Sequence, residues 1–142
     1  MKEGIKILVG FDGSEHATKA LVEAAELAKK FKGSITVLTA LHYEPADINV
    51  PGERVHDRKE MKELKELQMD VKNTYDPMGV KYEYVHDEGY DPGKMIIEHL
   101  RQGGYSLAII GNRGIHDPSA VEMGSVSSKV ANGAHCSVLI VR

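Results

Sequence analysis

The sequence predicts an α/β fold: a doubly wound, five-stranded parallel sheet with helices on both faces, in the Rossmann or flavodoxin-like layout. Three observations carry this. Five short runs of apolar and β-branched residues alternate with four segments of helical period, in the order β-α-β-α-β-α-β-α-β. Strands separated by helices need crossovers, which are right-handed and yield a mainly parallel sheet. The fourth run, Leu107-Ala108-Ile109-Ile110, leads straight into Gly111-Asn112-Arg113-Gly114, a strand-to-helix junction rich in glycine.

The elements follow in order. Ile5 to Val9 is the first strand, ending at the turn Gly10-Phe11-Asp12-Gly13-Ser14. Ser14 is placed to cap the helix marked by Ala17, Ala20, Leu21, Ala24, Leu27, Ala28 and Phe31, with Gly33 as its stop. Ile35 to Leu41 is the second strand. It exits through His42-Tyr43-Glu44-Pro45, and Glu44 to Glu53 is expected to be the mobile loop. Glu53 to Tyr75 reads as a long charged helix whose apolar stripe is Met61, Leu64, Leu67 or Gln68, and Val71; Asp76-Pro77-Met78-Gly79 breaks it. Val80 to Val85 alternates like a peripheral third strand. Asp91-Pro92 then opens a helix, with Met95, Ile96, His99 and Leu100 inward and Gly103-Gly104 as its end. The fourth strand is Leu107 to Ile110. The last helix runs from Ser125 to Asn132 with Gly133 as its stop, and Val138 to Val141 is the fifth strand.

Length and composition bound the rest. One domain over residues 1–142 is expected from 142 residues. With 42% hydrophobic and 27% charged residues, the chain has the balance of a soluble globular protein. Its formal net charge of −3 lacks the basic surplus of nucleic-acid binders, so no nucleic acid is expected. No apolar run is long enough to span a membrane, and the first residues lack a signal-peptide layout, so no membrane and a cytoplasmic setting are expected. The lone cysteine, Cys136, excludes an intramolecular disulfide and reads as a core or near-core residue. The seven histidines show no metal-site spacing, and no metal is assigned.

Ligands of such sheets sit beyond the strand ends, where the winding reverses. Asp12 ends the first strand and Gly111 begins the junction after the fourth. If those strands are neighbours, both face one crevice. Glycines there admit a ligand to the backbone, and the following helix N-terminus adds partial positive charge, which suits phosphate. Asp12 could instead cap the turn, and Arg113 could be a surface charge or a phosphate contact.

The spacing Gly111, Gly114, then nine residues to Gly124-Ser125 resembles the ATP-binding signature of the universal stress protein family. The resemblance extends over nearly the whole chain, including Ile7 to Ser14, His42 to Pro45 and Val138 to Val141. It implies an adenine nucleotide, ATP, accompanied by Mg or Mn. Position by position it implies Asp12 on the ribose or adenine, Gly10 and Phe11 on the same wall, and the backbone around Leu41 and His42 on adenine. Ile110 would pack on ribose or base. Gly111, Arg113 and Gly114 would wrap the ribose and phosphates, and Gly124, Ser125, Val126 and Ser127 would hold phosphates through amides and hydroxyls. It also implies a homodimer joined through Val138 to Val141. Two departures stand out. Gly10 replaces the proline of some relatives, and Asp117 and Glu122 place carboxylates in the spacer.

The function expected is that of an ATP-binding regulatory, stress-response homodimer with at most slow hydrolysis. No catalytic residue is assigned, because neither a Walker lysine nor an evident general base is present. The alternatives are an interaction module of the same fold without nucleotide, and a slow ATPase or autokinase. A Ser-Gly-Gly-x-Asp-Ser loop, expected of an ATP pyrophosphatase after the first strand, is not matched by Gly10 to Ser14.

Overall fold

The computed structural model describes residues 3–42, 58–114 and 123–142. The strands are β1 (Lys6–Gly10), β2 (Ser34–His42), β3 (Lys81–Gly89), β4 (Leu107–Gly111) and β5 (Ser137–Val141). The helices between them are α1 (Glu15–Lys30), α2 (Arg58–Tyr75), α3 (Pro92–Gly103) and α4 (Ser125–Gly133). The sheet order is β3-β2-β1-β4-β5, with every adjacent pair parallel. The chain therefore winds outward from β1 to β3, then returns to β4 and proceeds the other way. The reversal lies between β1 and β4, which brings the ends of those two strands side by side.

Strand alternation divides the core into two layers. Ile7 and Val9 of β1, Ile35 and Val37 of β2, and Leu107 and Ile109 of β4 pack with α1 and the Val71–Tyr75 end of α2. Leu8, Leu38, Ala108 and Ile110 point the other way, onto Ile96 and Leu100 of α3 and Val130 of α4. Nearly continuous apolar runs are what a parallel sheet covered on both faces requires. Small side chains on α1, among them Ala17, Ala20, Ala24 and Ala28, are fully or almost fully buried and let the helix lie close to the sheet.

The helix starts follow the expected chemistry. Ser14 accepts from the amide of Ala17 at 3.3 Å, and Asp91 accepts from Lys94 at 3.1 Å ahead of Pro92. Gly104 ends α3 in the left-handed region at φ 67°.

Two expected glycine stops work differently. At the end of α1 the left-handed residue is Lys32, at φ 51°, and the Gly33 amide reaches back to the Ala28 carbonyl at 2.8 Å. Gly33 is small for another reason: a Cβ there would lie 2.5 Å from the Ile5 carbonyl oxygen. Gly133 lies inside α4, which ends at Ala134 in an extended conformation. A Cβ at Gly133 would lie 2.6 Å from Ile97 Cδ1, so the glycine serves α3–α4 packing.

Other departures concern α2 and β3. Met61 is 44% exposed and outside the stripe, whose inward members are Leu64, Leu67, Val71 and Tyr75. Tyr75 continues that spacing into the core, where its hydroxyl donates to the Leu21 carbonyl at 2.8 Å. Burial pushes its phenol well above the usual range. The expected start of this helix at Glu53 and the Glu44–Glu53 loop lie outside the described residues.

β3 does not stop at Val85 but continues to Gly89. His86-Asp87-Glu88 carries no alternation, yet ladder bonds to β2 need only backbone. The last rung between β1 and β2 is Gly10 with Leu38, whereas β2 and β3 remain paired as far as His42 with Gly89. The sheet thus has a step, with the end of β2 standing above the end of β1.

Candidate functional site

At that step opens a cleft of about 410 Å³, a volume within the usual range for small-ligand sites. Gly10, Phe11 and Asp12 form one part of its wall, with Leu38 to Leu41 of β2 rising beside them. Ile110 to Gly114 and the first turn of α4 face them. Pro92 and Ile96 close one side, Glu63 and Leu67 of α2 the other. Of the residues expected at the site, Gly10, Phe11, Asp12, Leu41, Ile110, Gly111, Arg113, Gly114, Gly124, Ser125, Val126 and Ser127 all line the cleft. His42 does not; its backbone pairs with Gly89, and its side chain lies outside the described residues.

The turn after β1 is held by hydrogen bonds. The Phe11 amide donates to the Leu38 carbonyl at 2.9 Å, continuing the β1–β2 pairing by one bond. Tyr84 donates to Thr39 Oγ1, and Thr39 donates to the Phe11 carbonyl, each at 2.8 Å. Burial raises the Tyr84 phenol, with the Thr39 bond opposing it. Asp12 divides its carboxylate. Oδ1 accepts from the Ser14 amide at 2.9 Å, while Oδ2 would stand 2.8 Å from a Cβ on Gly114. The turn-cap reading and the crevice reading therefore fall on different oxygens of one side chain.

The glycines facing Asp12 share a motif but not a task. None of Gly111, Gly114 and Gly124 is in the left-handed region. Gly111 is pressed onto α1: a Cβ would lie 2.8 Å from the Ala17 amide nitrogen and 2.9 Å from both the His16 carbonyl carbon and Cβ. At Gly124 it would lie 2.8 Å from the Asn112 carbonyl oxygen. Among the described residues, a Cβ on Gly114 would meet only the end of a side chain, that of Asp12. Gly111 and Gly124 thus let backbone approach backbone, whereas Gly114 keeps a space open beside a carboxylate.

Asn112 joins three elements. Its amide donates to Val141 of β5 at 2.7 Å, and its carbonyl accepts from the Gly124 amide and from Ser127 Oγ, both at 3.0 Å. Ser127 Oγ also lies 3.0 Å from the Gly124 carbonyl, so its hydroxyl is engaged in holding the loop. Gly124 caps α4 without a side chain, and the first helical bond runs from the Ser128 amide to the Gly124 carbonyl. Three first-turn amides of a helix, here those of Ser125, Val126 and Ser127, have no partner within it, and they carry the positive end of its dipole.

The sequence did not single out Leu38, Thr39, Ala40, Ile96 or Glu63 as cleft residues. Their signal was masked by core roles, apart from Glu63, which looked like one charge among many on α2. Ala40 is deducible from strand geometry. The Leu38 carbonyl points toward β1, and backbone direction alternates along a strand, so the Ala40 amide and carbonyl also point that way, past the end of β1. Leu41 directs its own backbone groups toward β3. Elsewhere, Cys136 is half-buried against the α3–α4 layer, and burial pushes its thiol up. Among the described residues there is no cluster of three or more His, Cys, Asp or Glu able to hold a metal ion, and no helix long and apolar enough to cross a membrane. The spacer carboxylates Asp117 and Glu122 lie outside the described residues.

Known proteins resemble this arrangement throughout. The universal stress protein YxiE of Bacillus subtilis (strain 168) is 31% identical over 150 aligned positions, covering 96% of this chain and 98% of that protein. The solved structure of universal stress protein UspA from Lactobacillus plantarum superposes with a TM-score of 0.82 at 21% identity, over 100% of both chains. A universal stress protein from Archaeoglobus fulgidus, solved in complex with dAMP, has a TM-score of 0.73 at 22% identity, again over 100% of both. At these identities the two structures show the shared fold. The sequence itself matches the universal stress protein family from residue 5 to residue 142. The chain belongs to the universal stress protein family.

Proposed function

We propose that this protein binds ATP in the cleft between β1 and β4 and acts as a nucleotide-dependent regulatory protein of the stress response. The observation that carries the reading is the meeting of Gly114 with Asp12 beside the N-terminus of α4, whose glycine cap has no side chain. A carboxylate there suits ribose hydroxyls, which donate to it. The first-turn amides suit phosphate oxygens, which accept from them. The Ala40 backbone offers a donor and an acceptor in one plane, matching the edge of adenine. That a relative of the same fold holds dAMP supports the adenine part of the reading. Mg or Mn would accompany the phosphates and offset the charge of Asp12 and Glu63, both of which line the cleft.

The protein would hold ATP rather than turn it over rapidly. No lysine follows Gly114 in the manner of a Walker loop. As one domain over residues 1–142, it would work as a cytoplasmic homodimer joined through β5. That strand is a sheet edge with half-buried Val138 and Ile140 and with Leu139 37% exposed, an arrangement suited to pairing.

Calorimetry with ATP, ADP and AMP, followed by phosphate release on the same sample, tests this reading. Saturable ATP binding with slow release is expected. No binding at millimolar ATP would overturn it, and rapid turnover would make the protein an ATPase.

A further inference from the structure

His16, in the first turn of α1, is 97 residues from Arg113 in sequence, yet its Nδ1 accepts the Arg113 amide hydrogen at 3.1 Å. That bond uses the lone pair of Nδ1. The two segments are in contact here, since a Cβ on Gly111 would strike His16 Cβ. Arg113 then runs toward α4: its Cδ would lie 3.8 Å from a Cβ on Gly124, the cap residue of that helix. The clasp at the Arg113 amide fixes where that side chain leaves the backbone.

We propose that His16 is a positioning residue for the anionic part of the ligand. Through the Arg113 amide it sets the glycine loop against the α4 N-terminus, whose first-turn amides would meet the phosphate. The inference rests on the adenine-nucleotide reading of the cleft and adds to it a residue outside the family's glycine signature. The role divides the ligand: phosphate recognition depends on His16, and nucleoside recognition at Asp12 and β2 does not.

The test compares AMP with adenosine, titrated into the wild-type protein and its His16→Ala and His16→Asn variants. Asn offers an acceptor near the place of Nδ1. Losing one hydrogen bond is expected to weaken AMP binding about tenfold in His16→Ala, leave adenosine binding unchanged, and be largely restored in His16→Asn. Equal loss for AMP and adenosine, or no loss for AMP, overturns the proposal. Failure of the wild-type protein to bind either compound overturns the nucleotide reading instead. A ligand-free measurement keeps the clasp testable in that case: amide hydrogen exchange at Arg113 should quicken about fivefold in His16→Ala and recover in His16→Asn. Unchanged exchange refutes the clasp outright.

Discussion

Replacing Gly111 and Gly114 by alanine, one at a time, should separate stability from ligand binding within a single motif. At Gly111 the new Cβ would sit 2.8 Å from a backbone nitrogen of α1 and 2.9 Å from a backbone carbon, whereas ordinary contact begins at 3.4 Å. Neither atom can yield without moving the helix. Overpacking of this kind costs about 1–3 kcal/mol. Alanine returns about 0.4–1 kcal/mol by stiffening the unfolded chain. The net loss is about 1–2 kcal/mol, or roughly 3–7 °C in Tm for a chain of this size. At Gly114 the obstacle among the described residues is Asp12 Oδ2, at 2.8 Å, and a carboxylate tip can rotate aside. Turning it forfeits the Oδ1 bond to the Ser14 amide, worth about 1 kcal/mol, which the stiffening of the unfolded chain by alanine offsets by about 0.4–1 kcal/mol; stability should then change by less than about 0.5 kcal/mol, while the displaced carboxylate loses its place in the cleft. Thermal unfolding and AMP calorimetry on both variants read the two effects. Gly111→Ala melting within about a degree of the parent protein would refute the assignment of that glycine to the α1 contact. So would Gly114→Ala losing as much stability as Gly111→Ala.

Other outcomes follow from single contacts. Tyr75 stays neutral in the fold because burial raises its phenol, whereas an unfolded tyrosine ionises near pH 10. Its contribution is therefore complete below about pH 10 and is lost as pH rises beyond it. Tyr75→Phe should lower neutral-pH stability by about 1 kcal/mol and flatten the alkaline decline in urea titrations; an unchanged alkaline slope would exclude Tyr75 as its source. Cys136, half-buried with its thiol pushed up, should react with a thiol reagent at pH 8 far more slowly than free cysteine, and at the ordinary rate in urea. Leu139→Lys places a charge on the β5 edge and should shift sedimentation toward monomer; a persisting dimer would place the interface elsewhere.

The sheet was legible because each strand runs into punctuation that the chain could not do without: Gly10-Phe11-Asp12 after β1, Asp91-Pro92 before α3, Gly111 after β4. The family resemblance and the glycine spacing pointed to the same crevice. What stayed hidden depends on contacts across long sequence separations. Nothing beside Gly33 in sequence shows that Ile5 will press on it, and nothing beside His16 names Arg113. Glycine suggests a helix stop by local rule, so Gly33 and Gly133 read as stops, whereas their smallness serves packing. β3 outran its pattern because His86 to Gly89 are held by the β2 backbone and by no hydrophobic face.

The step in the sheet has one more consequence. An open strand edge usually invites another chain, but this one is sunk between Phe11 and the crevice opposite, too short to template a strand. On the adenine reading proposed for the cleft, it would admit a flat ring instead. Selectivity for that ring would reside in how far β2 outreaches β1, a difference in strand length that side-chain substitutions at Ala40 or Leu41 leave untouched. A one-residue deletion in β2 would alter it at once, by exchanging which backbone groups face the opening.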